Sequence, residues 1–456
     1  MSDDQHVDLV VLGLGPGGES VATQAAQAGM SVVGIDERLV GGECPYFGCI
    51  PSKMMIRAAG TLAEARRVGT YAGSAEVSPD FSVVARRIRE EATTDWDDAV
   101  AVQRLEDAGV RFVRGHGRLA GPGVVEVGGT RFVASVGVVL NTGTSPAAPP
   151  VDGLAGTPYW TNREALQATE APNSLVVVGG GPIGAELAQA YARFGSRVSL
   201  VQSGPRILPA DEPEASEVVA AAFADEGIQL LTGATVGSVA HADGRFAVHV
   251  TDDGGTDVEL DADRLLVAAG RRPNLADIGL DTVGLDPRAR SVDVDERMRA
   301  GEKLWAIGDI TAKGPFTHMS MYQAGIAVRD LTGADGPWAS YHAVPRATYT
   351  DPEVGAVGMT EQQARDAGAD VRTGVTSSLG TRGWIHGGPG LVKVVEDRSA
   401  GHLVGATAVG STGGEILAML ATAVHARIST AVLREQVLAY PTFHRAVSDA
   451  LADLDR

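Results

Sequence analysis

The chain has 456 residues, 44% of them hydrophobic and 21% charged, and a formal net charge of −19. That length suits several domains, each with its own core, and so acidic a surface argues against nucleic acid as a partner. No apolar run is long enough to cross a bilayer, and the opening residues MSDDQHVDLVVLG lack the basic and small-residue features of a secretory leader, so the expectation is a cytoplasmic protein with no membrane partner.

Taken in order, residues 7–12 (VDLVVL) read as a buried strand, followed by the turn GLGPGG, a small-residue helix and a second strand, SVVGID, at 31–36. Gly13, Gly15 and Gly18 form GxGxxG after a strand, and Asp36 closes the next one. The first glycine allows the turn, the second admits a pyrophosphate, the third lets helix and strand touch, and the acid accepts from a ribose hydroxyl. Residues 82–109 have a helical pattern, and 110–140 read as short strands with glycine turns. The Pro-rich stretch SPAAPPVDG marks a crossing into a second domain.

The same grammar returns at 175–202, where Gly179, Gly181 and Gly184 repeat the fingerprint roughly 165 residues after the first. Here the strand ends in Gln202 and Ser203 instead of an acid, which removes the repulsion of a 2′-phosphate, and Arg206 follows close by. The reading leans to NADPH over NADH, with a merely solvated Arg206 as the alternative. Residues 224–270 read as β-hairpins closing this domain, and beyond about 345 strands and then helices suggest a separate α+β domain.

The stretch GGECPYFGCIPSK, residues 41–53, holds both cysteines of the chain, Cys44 and Cys49, and one of its four lysines, Lys53. A structural disulfide is disfavoured in a reducing compartment. A zinc half-site needs two more ligands, with no other cysteine and no histidine between His6 and His116, so no metal site is expected. Two unrelated buried thiols and a redox-active dithiol remain, and the neighbouring Lys53 charge, which stabilises a thiolate, speaks for the dithiol.

This stretch resembles the GGTCxxxGCIPSK active site of the flavin-dependent pyridine nucleotide–disulfide oxidoreductases, the group of dihydrolipoamide dehydrogenase, glutathione reductase and mercuric reductase. Four further segments stand in the family's order: NTGTSP (141–146), AAGRRPN (268–274), LWAIGDI (304–310) and YTDPEVGAVGMT (349–360). The resemblance implies an α/β chain with two Rossmann-like dinucleotide-binding domains, for FAD and NAD(P), plus a C-terminal α+β dimerisation domain. The boundaries drawn are 1–150 and 273–344 for the FAD-binding parts, 151–272 for NAD(P) and 345–456 for the dimerisation domain. It implies that Gly13, Gly15, Gly18, Asp36, Gly42, Thr142, Gly143, Gly308 and Asp309 hold FAD, and that Gly179, Gly181, Gly184, Gln202, Ser203, Arg206 and Gly270 serve the nicotinamide nucleotide. It pairs Lys53 with Glu186 near the flavin, makes Cys49 the flavin-proximal sulfur, and gives Cys44 the exchange with substrate.

One departure bears on the substrate. The family ends in HPTxxE, contributed by the other subunit of a homodimer, whose His and Glu serve as acid/base for the exchange thiol. Here the stretch is YPTFHR, 440–445, so Tyr440 and Arg445 replace the dyad. A tyrosine, with a reference pKa of about 10, is a poor base at neutral pH. His444 either partly substitutes or is an ordinary histidine; a helix starting at Thr442 would set it beside Tyr440. Trp384 and His386 in GTRGWIHGG read as a plain turn, with a substrate-pocket wall as the alternative. The expected activity is electron transfer from NADPH through FAD to the Cys44–Cys49 disulfide, then to a small-molecule acceptor, either a low-molecular-weight disulfide or a metal ion. The alternatives are a quinone or dye reductase with auxiliary cysteines, and a flavin-stabilised binding partner.

Overall fold

The computed structural model describes residues 4–455, and the chain divides into two compact units. The first gathers the residues up to Pro51, Arg86–Pro146 and Arg271–Ser340; the second gathers Ser52–Ala85, Ala147–Gly270 and the residues from Tyr341 onward.

In the first unit VDLVVL lies in the strand Gln5–Leu12, whose last four residues are buried. Parallel neighbours flank it on both sides: Val10 stands opposite Val33 of Val32–Asp36 and opposite Val138 of Thr130–Leu140. A parallel strand covered on both faces calls for a continuous apolar run instead of alternation. The sheet extends to Val110–Arg114 at one side and to Leu304–Ala306 and Arg299–Gly301 at the other. The chain leaves the first strand toward Val32–Asp36, whereas the neighbour on the other side comes from much later. The carboxyl end of Gln5–Leu12 is therefore a topological switch point, where open α/β sheets leave a crevice. Residues 13–18 turn there. Val10, Val33, Phe132, Val138 and Leu140 form the centre of the core beneath it, each burial contributing about 1.5–3 kcal/mol.

The second unit holds a four-stranded parallel sheet, ordered Gln229–Thr232, Arg197–Gln202, Ser174–Val178 and Arg264–Val267, and a three-stranded antiparallel sheet, Thr235–Ala242, Arg245–Thr251 and Asp257–Ala262. It also holds a five-stranded antiparallel sheet, ordered Pro345–Thr348, Glu353–Gly358, His402–Gly410, Leu391–Asp397 and Val371–Thr376. The helices Gly413–His425 and Arg445–Asp453 cover that last sheet, with Leu417, Leu420, Val447 and Ala450 buried against Val392 and Val394.

Three sequence expectations change. The helical pattern over 82–109 is broken: Phe81–Arg87 runs into a π-helical turn, Ile88–Ala92, then Thr94, Asp95 and Trp96 all adopt left-handed backbone before the helix Ala99–Asp107. The segment GTRGWIHGG is no plain turn, since Gly380–His386 is helical. Residues 229–232 of the expected hairpin region join the parallel sheet, paired with Arg197–Gln202, because Leu230 and Leu231 extend its apolar surface.

Candidate active site

In the first unit the glycine turn is set by close backbone contacts. Gly13 has φ +92°, and a Cβ there would lie 2.4 Å from the Asn141 carbonyl oxygen. A Cβ on Gly18 would lie 2.0 Å from the Gly13 carbonyl oxygen, so the helix Pro16–Gln27 meets its strand without a side chain between them. No side chain caps that helix at Gly15, which leaves its N-terminal amides and positive dipole end for an anion. Asp36 accepts from the Leu14 amide at 2.7 Å and from the Arg38 amide at 2.8 Å. Burial pushes its carboxyl above the usual range, partly offset by those amides.

The remaining flavin candidates converge on this turn. Gly42, at φ +67°, packs so tightly that a Cβ would lie 2.9 Å from the Gly15 Cα. The Thr142 hydroxyl is buried without a hydrogen-bond partner, and Gly143 beside it, at φ +65°, faces open space. Buried hydroxyls are normally satisfied, so an orphan next to an uncapped helix end and a gap suits a phosphate-bearing ligand. Thr144 Oγ1 donates to Asp309 Oδ2 at 2.6 Å, and Gly308 at φ +76° turns the chain under it. Gly13, Gly15, Gly18, Asp36, Gly42, Thr142, Gly143, Gly308 and Asp309 thus belong to one unit, and the donor set suits a dinucleotide.

The cysteines belong to the same unit. Cys44 lies in the short helix Glu43–Phe47, and Cys49 opens the helix Cys49–Tyr71. Neither is in a disulfide; Cys44 is half-buried and Cys49 exposed. Cys49 Sγ lies 3.4 Å from Thr317 Oγ1. A hydrogen bond to the Cys49 sulfur holds the Cys44 proton and, with burial, pushes the Cys44 thiol well up; Thr317 opposes this. That hydrogen bond ties the two sulfurs into one pair.

In the second unit the repeat fingerprint has the same contacts. Gly179 has φ +108°, a Cβ on Gly184 would lie 1.9 Å from the Gly179 carbonyl oxygen, and Gly181 starts the helix Pro182–Arg193 without a side-chain cap. Gln202 Oε1 accepts from the Gly180 amide at 2.8 Å, the task Asp36 performs in the first unit. Ser203 is exposed, and Gly270, at φ +135°, faces open space. Arg206 spends one terminal nitrogen on the carbonyls of Pro209 and Asp211, at 3.0 and 2.9 Å. Lys53 Nζ lies 2.8 Å from Glu186 Oε2, and the other carboxylate oxygen accepts from the Tyr349 amide at 2.8 Å. Glu186 is 5% exposed against 35% for Lys53, and the ammonium also sits 4.7 Å from the centre of the Tyr349 ring. Each oxygen of this buried carboxylate is therefore satisfied, as burial demands.

The carboxy-terminal stretch departs from expectation. The last helix begins at Arg445, with His444 as its N-cap, and not at Thr442. Thr442 Oγ1 donates back to the Ala439 carbonyl at 2.8 Å, closing a local turn that competes with helix. The helical spacing that would have set His444 beside Tyr440 is absent. Tyr440 is 70% exposed, and its hydroxyl lies 3.1 Å from Thr381 Oγ1. The ring of Phe443 meets His386 edge-on, 5.7 Å between centres.

Comparison with known proteins fits this geometry. Residues 7–328 match the family model described as pyridine nucleotide-disulphide oxidoreductase, and residues 344–451 match that family's dimerisation domain. The chain belongs to the pyridine nucleotide-disulphide oxidoreductase family. It is 32% identical to a mercuric reductase of Acidithiobacillus ferrooxidans over 97% of this chain and 81% of that one. It is also 32% identical to a dihydrolipoyl dehydrogenase of Thermus scotoductus, over 98% and 97%. Among solved structures, the HOCl-induced flavoprotein disulfide reductase RclA from Escherichia coli superposes with a TM-score of 0.84 at 25% identity, covering 98% of this chain and 99% of that one. LpdA from Mycobacterium tuberculosis superposes with a TM-score of 0.85 at 28% identity, covering 99% of each. As a family member the chain is a flavoprotein oxidoreductase acting on sulfur groups, with FAD as its flavin and a dimerisation domain that supports a homodimer.

Sequence reading passed over several groups of this oxidoreductase. Glu43 stands where the family motif has Thr, and its Oε2 lies 3.4 Å from Arg271 NH2. Arg271 in turn donates to the hydroxyl and carbonyl oxygens of Thr144, both at 2.7 Å. The GGEC-for-GGTC exchange was the available signal. Among the described residues no cluster of His, Cys, Asp and Glu is arranged to hold a metal ion, and no helix is long and apolar enough to cross a membrane.

Proposed function

We propose that this flavoprotein takes electrons from NADPH and passes them through FAD to the Cys44–Cys49 disulfide, and that the dithiol so formed reduces a small-molecule acceptor as the disulfide closes again. The observation that carries the reading is the pair of thiols, Cys44 hydrogen-bonded to Cys49, in the unit that holds the dinucleotide turn. The bound flavin supplies the step between a two-electron hydride donor and a dithiol. The chain's own residues do the rest. Lys53, held by Glu186, supplies positive charge where reducing equivalents arrive. Cys44, whose proton is held by burial and by the hydrogen bond to Cys49, gives it up as it attacks the acceptor, and Cys49 then closes the disulfide behind it.

The acceptor class is a low-molecular-weight disulfide or an oxidised metal ion. Efficient disulfide exchange calls for a base near Cys44, and neither the Tyr440 phenol nor the Arg445 guanidinium is one. The two relatives above illustrate both classes, one named for mercury and the other for a dihydrolipoyl group. The preference for NADPH rests on Gln202 and Ser203 in place of an acid. Anaerobic titration with NADPH and with NADH tests the first half: NADPH is expected to bleach the flavin faster and raise a long-wavelength absorbance band. Replacing Cys44 by Ser tests the second half. Loss of acceptor turnover with flavin reduction intact is expected, whereas full turnover would instead establish a quinone or dye reductase with auxiliary cysteines.

A further inference from the structure

The helix Glu43–Phe47, which carries Cys44, is too short to hold itself, and four bonds from elsewhere in its unit hold it and its flank. The Gly41 amide donates to the Leu14 carbonyl at 2.7 Å, and the Val40 amide donates to Asp98 Oδ2 at 2.6 Å. The Glu43 carboxylate pairs with Arg271, and the Tyr46 carbonyl accepts from Trp96 Nε1 at 3.2 Å. Two of these four come from the segment Thr94–Asp98. Its first three residues have φ of +50°, +58° and +56°, in a region that non-glycine residues avoid. The Thr94 and Asp95 side chains are exposed, so no burial of their own offsets the strained backbone. What the turn does achieve is to bring the Trp96 indole and the buried Asp98 carboxylate to opposite ends of the cysteine turn; Arg114 holds Asp98 from behind at 2.6 Å.

We propose that Trp96 and Glu43 are positioning residues that clamp the Cys44 helix against Cys49, and that this clamp makes the dithiol a stronger reductant. This inference rests on the redox role of the cysteines proposed above. Closing the disulfide forms one S–S bond and releases two protons and two electrons; opening it reverses this. Holding the two sulfurs in contact raises their effective concentration, which favours the closed disulfide over the open dithiol and lowers the potential of the couple. A mobile Cys44 turn would give a weaker reductant.

The test equilibrates the FAD-loaded protein anaerobically with mixtures of reduced and oxidised dithiothreitol. Free thiols are then alkylated and the 41–53 peptide is weighed by mass spectrometry. Trp96→Phe keeps the ring and removes the N–H; Glu43→Gln keeps the shape and removes the charge. Each is expected to weaken the disulfide by roughly tenfold in its exchange constant, about 30 mV toward the positive, with bound FAD unchanged. Exchange constants within twofold of the parent for both variants would overturn the clamp, whatever happens to the melting temperature. Should Trp96→Ala fail to fold, the Phe variant still decides. No NADPH or acceptor enters this assay, so its failure is distinct from failure of the proposed activity, which the Cys44→Ser turnover measurement reports.

Discussion

The Glu186 side chain is buried, charged and satisfied on both oxygens, by Lys53 and by the Tyr349 amide. Removing one member of such a set leaves the other without compensation. Lys53→Met leaves a buried carboxylate and, on the function proposed above, takes positive charge from the site of hydride arrival. We expect NADPH-driven flavin reduction to slow by about 100-fold, on the scale of other lost electrostatic contacts, as read by stopped-flow absorbance. Glu186→Gln, which still accepts from the Tyr349 amide, should slow it less. At the same scale, Arg206 tests nucleotide choice. Its guanidinium already serves two carbonyls, so Arg206→Ala should disturb the 205–211 loop and raise KM for NADPH more than for NADH. Equal changes for both nucleotides would show that it has only the structural task.

At the scale of elements, the two glycine helices offer a paired experiment. Gly18 and Gly184 sit at equivalent points, each with a carbonyl oxygen where a Cβ would go. Gly18→Ala is expected to release FAD, visible as a colourless purified protein. Gly184→Ala should leave the protein yellow but unable to be bleached by NADPH; overpacking of this kind costs about 1–3 kcal/mol locally. The helix Pro182–Arg193 is also tied to the segment 349–351 along one face, by Glu186, Gln189 and Arg193. Burial pushes the Asp351 carboxyl up, but Arg193 and Arg67 more than offset it, so its pKa is lowered. A lowered carboxylate stabilises the fold above its ordinary range, and that contribution is lost as pH falls through the folded value. The parent should therefore lose melting temperature below about pH 4, and Asp351→Asn should flatten that dependence. An equal slope in the variant would assign the acid sensitivity to other carboxylates.

At the scale of the molecule, the dimerisation domain supports a homodimer, and sedimentation should give about twice the chain mass. If the active site is shared between subunits, mixing a Cys44→Ser chain with a chain altered at Tyr440 or His444 should restore part of the activity that each lacks alone. The departure at 440–445 makes this worth measuring. Tyr440 is exposed and bonded to Thr381 of its own chain, while His444 occupies the N-cap position of the last helix without a side-chain capping bond. The condition that would have set His444 beside Tyr440, a helix starting at Thr442, is not met, because the Thr442 hydroxyl closes a turn with Ala439, a choice that a helical pattern does not register.

Local chemistry was legible in the sequence wherever backbone geometry dictates a residue type. Both glycine turns, the apolar parallel strands and the cysteine pair could be found because only glycine fits a left-handed turn pressed against a carbonyl, and only continuous apolar runs survive burial on both faces. What depended on distant partners was not legible. No periodicity announces that Trp96 adopts a left-handed conformation to reach the Tyr46 carbonyl, that Glu43 pairs with Arg271 from 228 positions away, or that Gln202 turns back onto its own glycine loop. Those choices are made when segments far apart in the chain compete for the same hydrogen bonds, and only the folded arrangement decides which of them is formed.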